Sequence, residues 1–377
     1  MSREILEQAY AAERDFLSLL SDLVTRESPT HDEAACDALA SRLEELMQER
    51  GFAVTRHARS GAGDVLEGRL PGGDGPRTLL LCHYDTVWPL GTLAEMPWRR
   101  DGDQVFGPGA LDMKAGIANA LTAVDLARRL GLPLAGDVTL LVTSDEETGS
   151  HRSRELIEAL AQQHERVLVL EPSRDDGALK VGRKGVGDFE LRLEGRSAHA
   201  GNNPADGASA LRELAHLLLY VEDLADEVAG TTVNVTTARA GFATNVIAEE
   251  AVATVDVRVL KASEAERVTR AIHEYVPRDR RVTLTVSGGL NRPPMEPNVK
   301  NQALYEEAVA VLASMGLALE GAVVGGGSDG NFTSALGVAT LDGLGAAGSG
   351  PHARHEHIRV RETLERVALL TGLLTRA

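Results

Sequence analysis

His83 and Asp85 stand two residues apart at the end of the apolar run TLLLCHYDT (78–86). Residues so spaced on a strand point the same way, and a carboxylate beside an imidazole fixes its tautomer and raises its basicity, as it does behind a metal-bound histidine. A strand-end histidine followed by a helix-start aspartate is the plainer account. Asp112 follows the small-residue loop Gly-Pro-Gly-Ala-Leu and precedes a helical stretch, where it could be a ligand or a cap. Ser144-Asp145-Glu146-Glu147-Thr148-Gly149 comes after a wholly apolar run. Three consecutive carboxylates there call for a cation or for protonation, unless they form an acidic solvent turn. Glu171 closes the apolar run RVLVL, and His352, His355 and His357 crowd the segment HARHEH, which a solvated turn would also explain.

Each signal is weak alone, but together His83, His352, Asp112, Glu147 and Glu171 supply two imidazoles and three carboxylates. Two Zn²⁺ ions would be neutralised by those carboxylates and one shared hydroxide, as a partly buried site requires. Nitrogen and oxygen ligands without thiolate suit zinc in an open, catalytic site.

The elements that must carry these residues read as α/β. Residues 3–25 have helical apolar spacing, and Thr30 with Glu33 three residues on predicts a capping box for a second helix ending near Gly51. Strands at 78–86, 137–144 and 166–171 alternate with a helix at 113–130; they are apolar throughout, as in a mostly parallel sheet flanked by helices. Segments 60–64 and 71–76 read as exposed turns. From Gly185 the pattern turns to alternation, and strands and helices follow in the order β-α-β-β-α-β of a ferredoxin-like α+β domain. The expected organisation is therefore 1–184 and 294–377 as one catalytic domain, with 185–293 inserted into it.

Composition narrows the partners. Against 39 Lys and Arg stand 56 Asp and Glu, a net charge of −17, which argues against nucleic acid or an anionic membrane surface as partner. No run of about 18 apolar residues occurs, and the charged, helical start is unlike a signal peptide. Two cysteines cannot build a disulfide framework, so a reducing, cytoplasmic setting is expected. The glycine-rich segment 325–330 lacks the Gly-Lys-Ser/Thr ending of a phosphate loop, which excludes nucleotide binding by that motif.

The ordered set HYDTV, GPGALDMKAG, TSDEETGS, LEP, GRSAHAG, NRPP and GSGPHARHEHI resembles the di-zinc exopeptidase family that includes glutamate carboxypeptidase, acetylornithine deacetylase, succinyl-diaminopimelate desuccinylase and aminoacylase. The match spans nearly the whole chain and is nearest to the glutamate carboxypeptidase branch. The resemblance implies two Zn²⁺ ions, with Co or Mn as substitutes, bridged by Asp112. His83 and Glu171 would complete one site, and Glu147 and His352 the other; the loop before His352 fits the family position better than those of His355 or His357. Glu146 would be general base, Asp85 would orient His83, and a cis peptide would follow Asp112. His199, flanked by small residues, would reach the active site of a neighbouring subunit as an oxyanion donor.

The reaction so implied is hydrolysis of an amide or peptide bond that releases a glutamate-like amino acid from an N-acyl or short peptidyl substrate. Its carboxylate calls for arginine, and Arg292 and Arg258 are candidates, with Asn245 adding an amide. Deacylation of N-acetyl or N-succinyl diamino acids, aminoacylase activity, and an inactive binding protein are the competing readings. A homodimer through the inserted domain, which would double as a moving lid, completes the expectation.

Overall fold

The apolar runs are the buried strands Thr78–His83, Val138–Thr143 and Arg166–Val169 of a computed structural model that describes residues 1–375. They pair in parallel, with Thr78 opposite both Val138 and Arg166. Successive residues point to opposite faces, and both faces are dry. Leu80, Cys82, Leu140, Val142 and Leu168 join one core cluster; Leu79, Leu81, Leu141, Val167 and Val169 join another. Helices Ala115–Arg129 and Val360–Thr375 contribute to the first, and Arg154–Ala161 to the second through Ile157 and Leu160.

The full sheet runs Ala53–His57, Val65–Leu70, Val138–Thr143, Thr78–His83, Arg166–Val169, Ala339–Leu341. Its last four strands are parallel, but the first two form an antiparallel hairpin that the sequence pattern conceals. The reason is Glu67, buried in the second strand and accepting from His57 Nε2 at 2.9 Å and Arg69 Nε at 2.6 Å. A satisfied charge inside a buried strand breaks the apolar signature.

Two local readings change at the N-terminus. Residues 3–25 form two helices, Ser2–Ala11 and Glu13–Val24, broken at Ala12. The third helix, Glu33–Glu49, is capped by Asp32, whose side chain accepts from Ala35 N, and not by Thr30. Thr30 Oγ1 instead donates to Asp85 Oδ2 at 2.8 Å, a tertiary bond that local spacing cannot announce.

The chain divides into two units: one comprises Met1–Gly182, Pro297–Val324 and the described chain from Ser328, the other Arg183–Glu296 and Gly325–Gly327. In the second, four antiparallel strands lie in the order Thr232–Ala240, Glu250–Val259, Gly185–Glu194, Thr283–Arg292. Helices Ala210–Glu222 and Ala262–His273 pack Leu214, Leu217, Val268 and Ile272 against Phe189, Leu191, Val255 and Val257. The opposite face carries exposed Asp188, Arg192 and Glu194, hence the alternating sequence. Among the described residues no helix is long and apolar enough to cross a membrane.

Candidate metal centre

Parallel strands deliver their C-terminal ends to one edge, where ligands bind in open α/β sheets. His83 ends its strand, Glu146 and Glu147 open a 3-10 turn just past Val138–Thr143, and Glu171 follows Arg166–Val169 by two residues. Asp112 sits in the kinked turn before Ala115–Arg129, with a cis Asp112–Met113 peptide. Gly116 lets that helix close on the neighbouring strand end: a Cβ there would lie 2.1 Å from the Leu170 carbonyl oxygen. His352, in the left-handed region at φ 59°, comes from the loop before His357–Arg359.

These side chains converge. Asp112 divides its oxygens, Oδ1 lying 3.3 Å from His83 Nε2 and Oδ2 3.2 Å from His352 Nε2. Glu171 Oε1 is 3.3 Å from the same His83 nitrogen, and Glu147 Oε2 is 3.2 Å from that of His352. Ligands bound tetrahedrally to zinc at about 2.0 Å are separated by about 3.3 Å. His83 Nε2 is buried and lacks a hydrogen-bond partner, although two carboxylates face it. An orphaned imidazole nitrogen between acid oxygens fits a cation between them. Glu146 belongs to the same cluster: its oxygen, one from Glu171 and a His83 nitrogen lie within 4.8 Å of one another.

The electrostatics ask for positive charge. Burial opposes a charged His83, but Asp112, Asp85 and Glu171 outweigh it and hold the imidazole well above its ordinary pKa. Asp112 and Glu147 carry His352 to about 11. Burial would raise Asp112, yet the two imidazoles hold it far below the usual carboxylate range, whereas burial leaves Glu147 raised. The cluster opens to solvent at His352, whose side chain is 52% exposed against 2% for His83.

Supporting groups differ in part from those read in the sequence. Asp85 carries the expected neighbour relation, but His83 Nδ1 is 3.0 Å from its backbone oxygen and 3.4 Å from its carboxylate. That carboxylate also accepts Glu146 N and Glu147 N, each at 3.3 Å. Asp145, unassigned in the sequence, is buried and holds the turn from the other side, accepting Arg152 N and Ser153 Oγ at 2.6 Å each. Glu356 is a second omission; burial pushes its carboxyl to about 7. His357 turns away, with Nε2 3.2 Å from Gln104 Nε2 and its ring against Phe106. Trp88 donates to Glu356, and Trp98 packs on the core.

The remaining candidates lie in the second unit. His199 Nδ1 accepts the N–H groups of Gly201 and Asn202 at 3.1 and 3.0 Å, so the neutral ring carries its proton on Nε2. Asn245 is its neighbour: Ala200 N donates to the Asn245 backbone oxygen, and His199 bridges to Val246. Arg258 is engaged by Asp256 through Nε and Nη2 at 2.8–3.0 Å. Arg292 is buried at a bulge of its strand, its stem against Gly327, where a Cβ would come within 2.9 Å of Arg292 Cδ.

A cluster of imidazoles and carboxylates around a shared aspartate, with a further glutamate beside it, is the donor set a metal-dependent hydrolase requires, and the family match assigns the chain to that class. Residues 79–376 match Peptidase family M20/M25/M40, and the chain belongs to that family. Carboxypeptidase G2 of Pseudomonas sp. (strain RS-16) is 31% identical over 368 residues, covering 95% of this chain and 88% of the relative. Succinyl-diaminopimelate desuccinylase of Thioalkalivibrio sulfidiphilus is 29% identical over 383 residues, covering 96% and 98%. Among solved structures, aminopeptidase PepT from Bacillus cereus ATCC 10987 aligns with TM-score 0.81 at 21% identity, covering 96% of this chain and 98% of that one. The M20 family metallo-carboxypeptidase Sso-CP2 from Sulfolobus solfataricus aligns with TM-score 0.75 at 17% identity, covering 96% and 98%. These two structures share the fold.

Proposed function

We propose that this hydrolase uses two Zn²⁺ ions to cleave the amide bond of an N-acyl amino acid or short peptide, releasing a glutamate-like amino acid with a free carboxylate. The observation that carries this reading is the division of Asp112 between His83 and His352. His83, Glu171 and Asp112 would hold one ion, and His352, Glu147 and Asp112 the other. When bound, the ions supply Lewis acidity, acidifying a water and polarising the scissile carbonyl.

The chain's own residues do the rest. Glu146 takes the proton of the attacking water and returns it to the leaving nitrogen. His199, with its proton on Nε2, is suited to donate to the developing oxyanion, and Asn245 beside it adds an amide. Arg292 offers a planar fork to the substrate carboxylate. Arg258 is the weaker clamp because Asp256 already engages it.

Support for the carboxypeptidase reading comes from the 31% identity with carboxypeptidase G2. The desuccinylase at 29% makes deacylation of an N-succinyl diamino acid the alternative. Initial rates of the zinc-loaded protein on N-acyl glutamates, N-succinyl and N-acetyl diamino acids and dipeptides decide between them. The reading requires the highest kcat/KM on the glutamates and its loss in EDTA. Greater turnover of the diamino acids would replace it.

The working form is a homodimer built on the second unit. Helix Ala210–Glu222 exposes Leu211 and Leu219 by 50% and 66%, and Thr232–Ala240 is an open sheet edge. A twofold copy of the chain would cover both. Light scattering at micromolar concentration should give a dimer mass, halved by Leu219→Glu; a monomeric wild type refutes it. A cytoplasmic setting belongs to the same reading, since Cys36 and Cys82 are buried free thiols.

A further inference from the structure

Glu356 lies four residues beyond His352 and is 1% exposed. Its two oxygens collect four N–H groups. Oε1 accepts from the backbone of Leu111 at 2.9 Å and of Asp112 at 3.1 Å. Oε2 accepts from the backbone of Gly109 at 2.9 Å and from the indole Nε1 of Trp88 at 2.8 Å. All four donors are neutral, and the buried Lys114 ammonium, which donates to the Arg26 carbonyl oxygen, acts on this carboxylate only through space.

The residues it gathers are those whose direction matters. Gly109 is at φ +69°, and Asp112 is non-helical at φ −115°, ψ 97°. Backbone N–H groups in so irregular a segment need an acceptor from elsewhere. Glu356 provides it from the turn that also carries His352, and one buried side chain thereby ties together two groups that face each other at 3.2 Å.

We propose that Glu356 is a positioning residue of the metal centre, presetting Asp112 and His352 for the ion they would share with Glu147. This rests on the two-ion reading given above. It touches neither substrate nor ion; it acts through the backbone of one ligand and the loop of another, as groups behind metal ligands generally do.

The test is a Zn²⁺ titration of metal-free protein against a chromophoric chelator, which yields the number of ions and each Kd. Wild type binding two ions is the control for the reading; if it binds none, both reading and inference fall. Glu356→Gln keeps the shape but replaces one acceptor oxygen with an amide that faces N–H groups. It should weaken one of the two ions by roughly 10–100-fold, leave the other less affected, and shift the visible absorption of the Co²⁺-substituted protein. A residue needed only for folding would lower the melting temperature of the metal-free protein and leave the ratio of the two Kd values alone. Trp88→Phe removes the indole donor and leaves three backbone donors in place, so it should show a smaller loss of the same ion. If Glu356→Gln does not fold, Trp88→Phe decides. A folded Glu356→Gln, or in its absence a folded Trp88→Phe, that binds both ions with wild-type affinities overturns the proposal.

Discussion

Asp85 accepts the backbone N–H of Glu146 at 3.3 Å, so the residue beside His83 also anchors the turn that presents the neighbouring glutamates. Thr30 locks the arrangement from a third segment by donating to the same carboxylate. His83, Glu146 and Glu147 are thereby referred to one buried group, which is 0% exposed.

Replacing that group separates its two duties. Asp85→Asn keeps one acceptor oxygen but turns an amide toward either the imidazole or the turn. Turnover should fall by about 10–100-fold while KM changes little, since the effect reaches the reacting groups and not the substrate contacts. Steady-state kinetics with metal analysis check this; an unchanged kcat would show that Asp85 only fills space.

Glu146 lies within reach of His83 and Glu171, so it could serve as a ligand as well as a base. Glu146→Gln distinguishes the roles. As a base, its loss should lower kcat by about 10²–10⁴-fold and leave two ions bound per chain. Loss of an ion along with activity would make Glu146 a ligand instead.

How much of this was legible depends on where each interaction comes from. His83, Glu146, Glu147 and Glu171 stand out because charged residues terminate strands that are otherwise apolar, and parallel pairing carries all of them to one edge. Asp112 is ambiguous alone, since an aspartate before a helix is commonly a cap. Glu356 is invisible because three of its four donors are backbone N–H groups 244–247 residues away, which leave no mark in a side-chain pattern, and the fourth, the Trp88 indole, is 268 residues away. The same holds for Thr30, whose spacing from Glu33 imitates a capping box while its hydroxyl serves Asp85. Glu67 hid a strand by the reverse effect, a charge satisfied where the pattern calls for an apolar residue.

Metal removal should cost stability as well as activity. Side chains of Asp112, Glu147 and Glu171 are only 13%, 7% and 9% exposed, and without cations the two imidazoles that face them must offset their mutual repulsion. Free Zn²⁺ at a hundredfold excess over Kd stabilises a folded site by about 2.7 kcal/mol, which for a unit of this size is about 5 °C in Tm. Calorimetry with and without EDTA measures it. Coincident melting curves would mean that the cluster holds no ion under those conditions.

A separate acid sensitivity is expected from His164, at the other end of the strands from the candidate centre. Its Nδ1 lies 2.7 Å from the Leu160 carbonyl, which can only accept, so Nδ1 bears the proton and Nε2 accepts from Thr139 Oγ1 at 2.8 Å. Burial, the largest influence, lowers its pKa below the ordinary value of 6.5. Below pH 6.5 the unfolded chain therefore takes up a proton that the folded chain resists, and stability declines as pH falls until the folded imidazole is protonated too. Above that window the residue contributes nothing to the pH dependence. His164→Gln cannot titrate, so its urea midpoint should fall less than that of wild type between about pH 6.5 and 5. Parallel pH profiles for the two proteins would show that His164 does not contribute to the acid sensitivity.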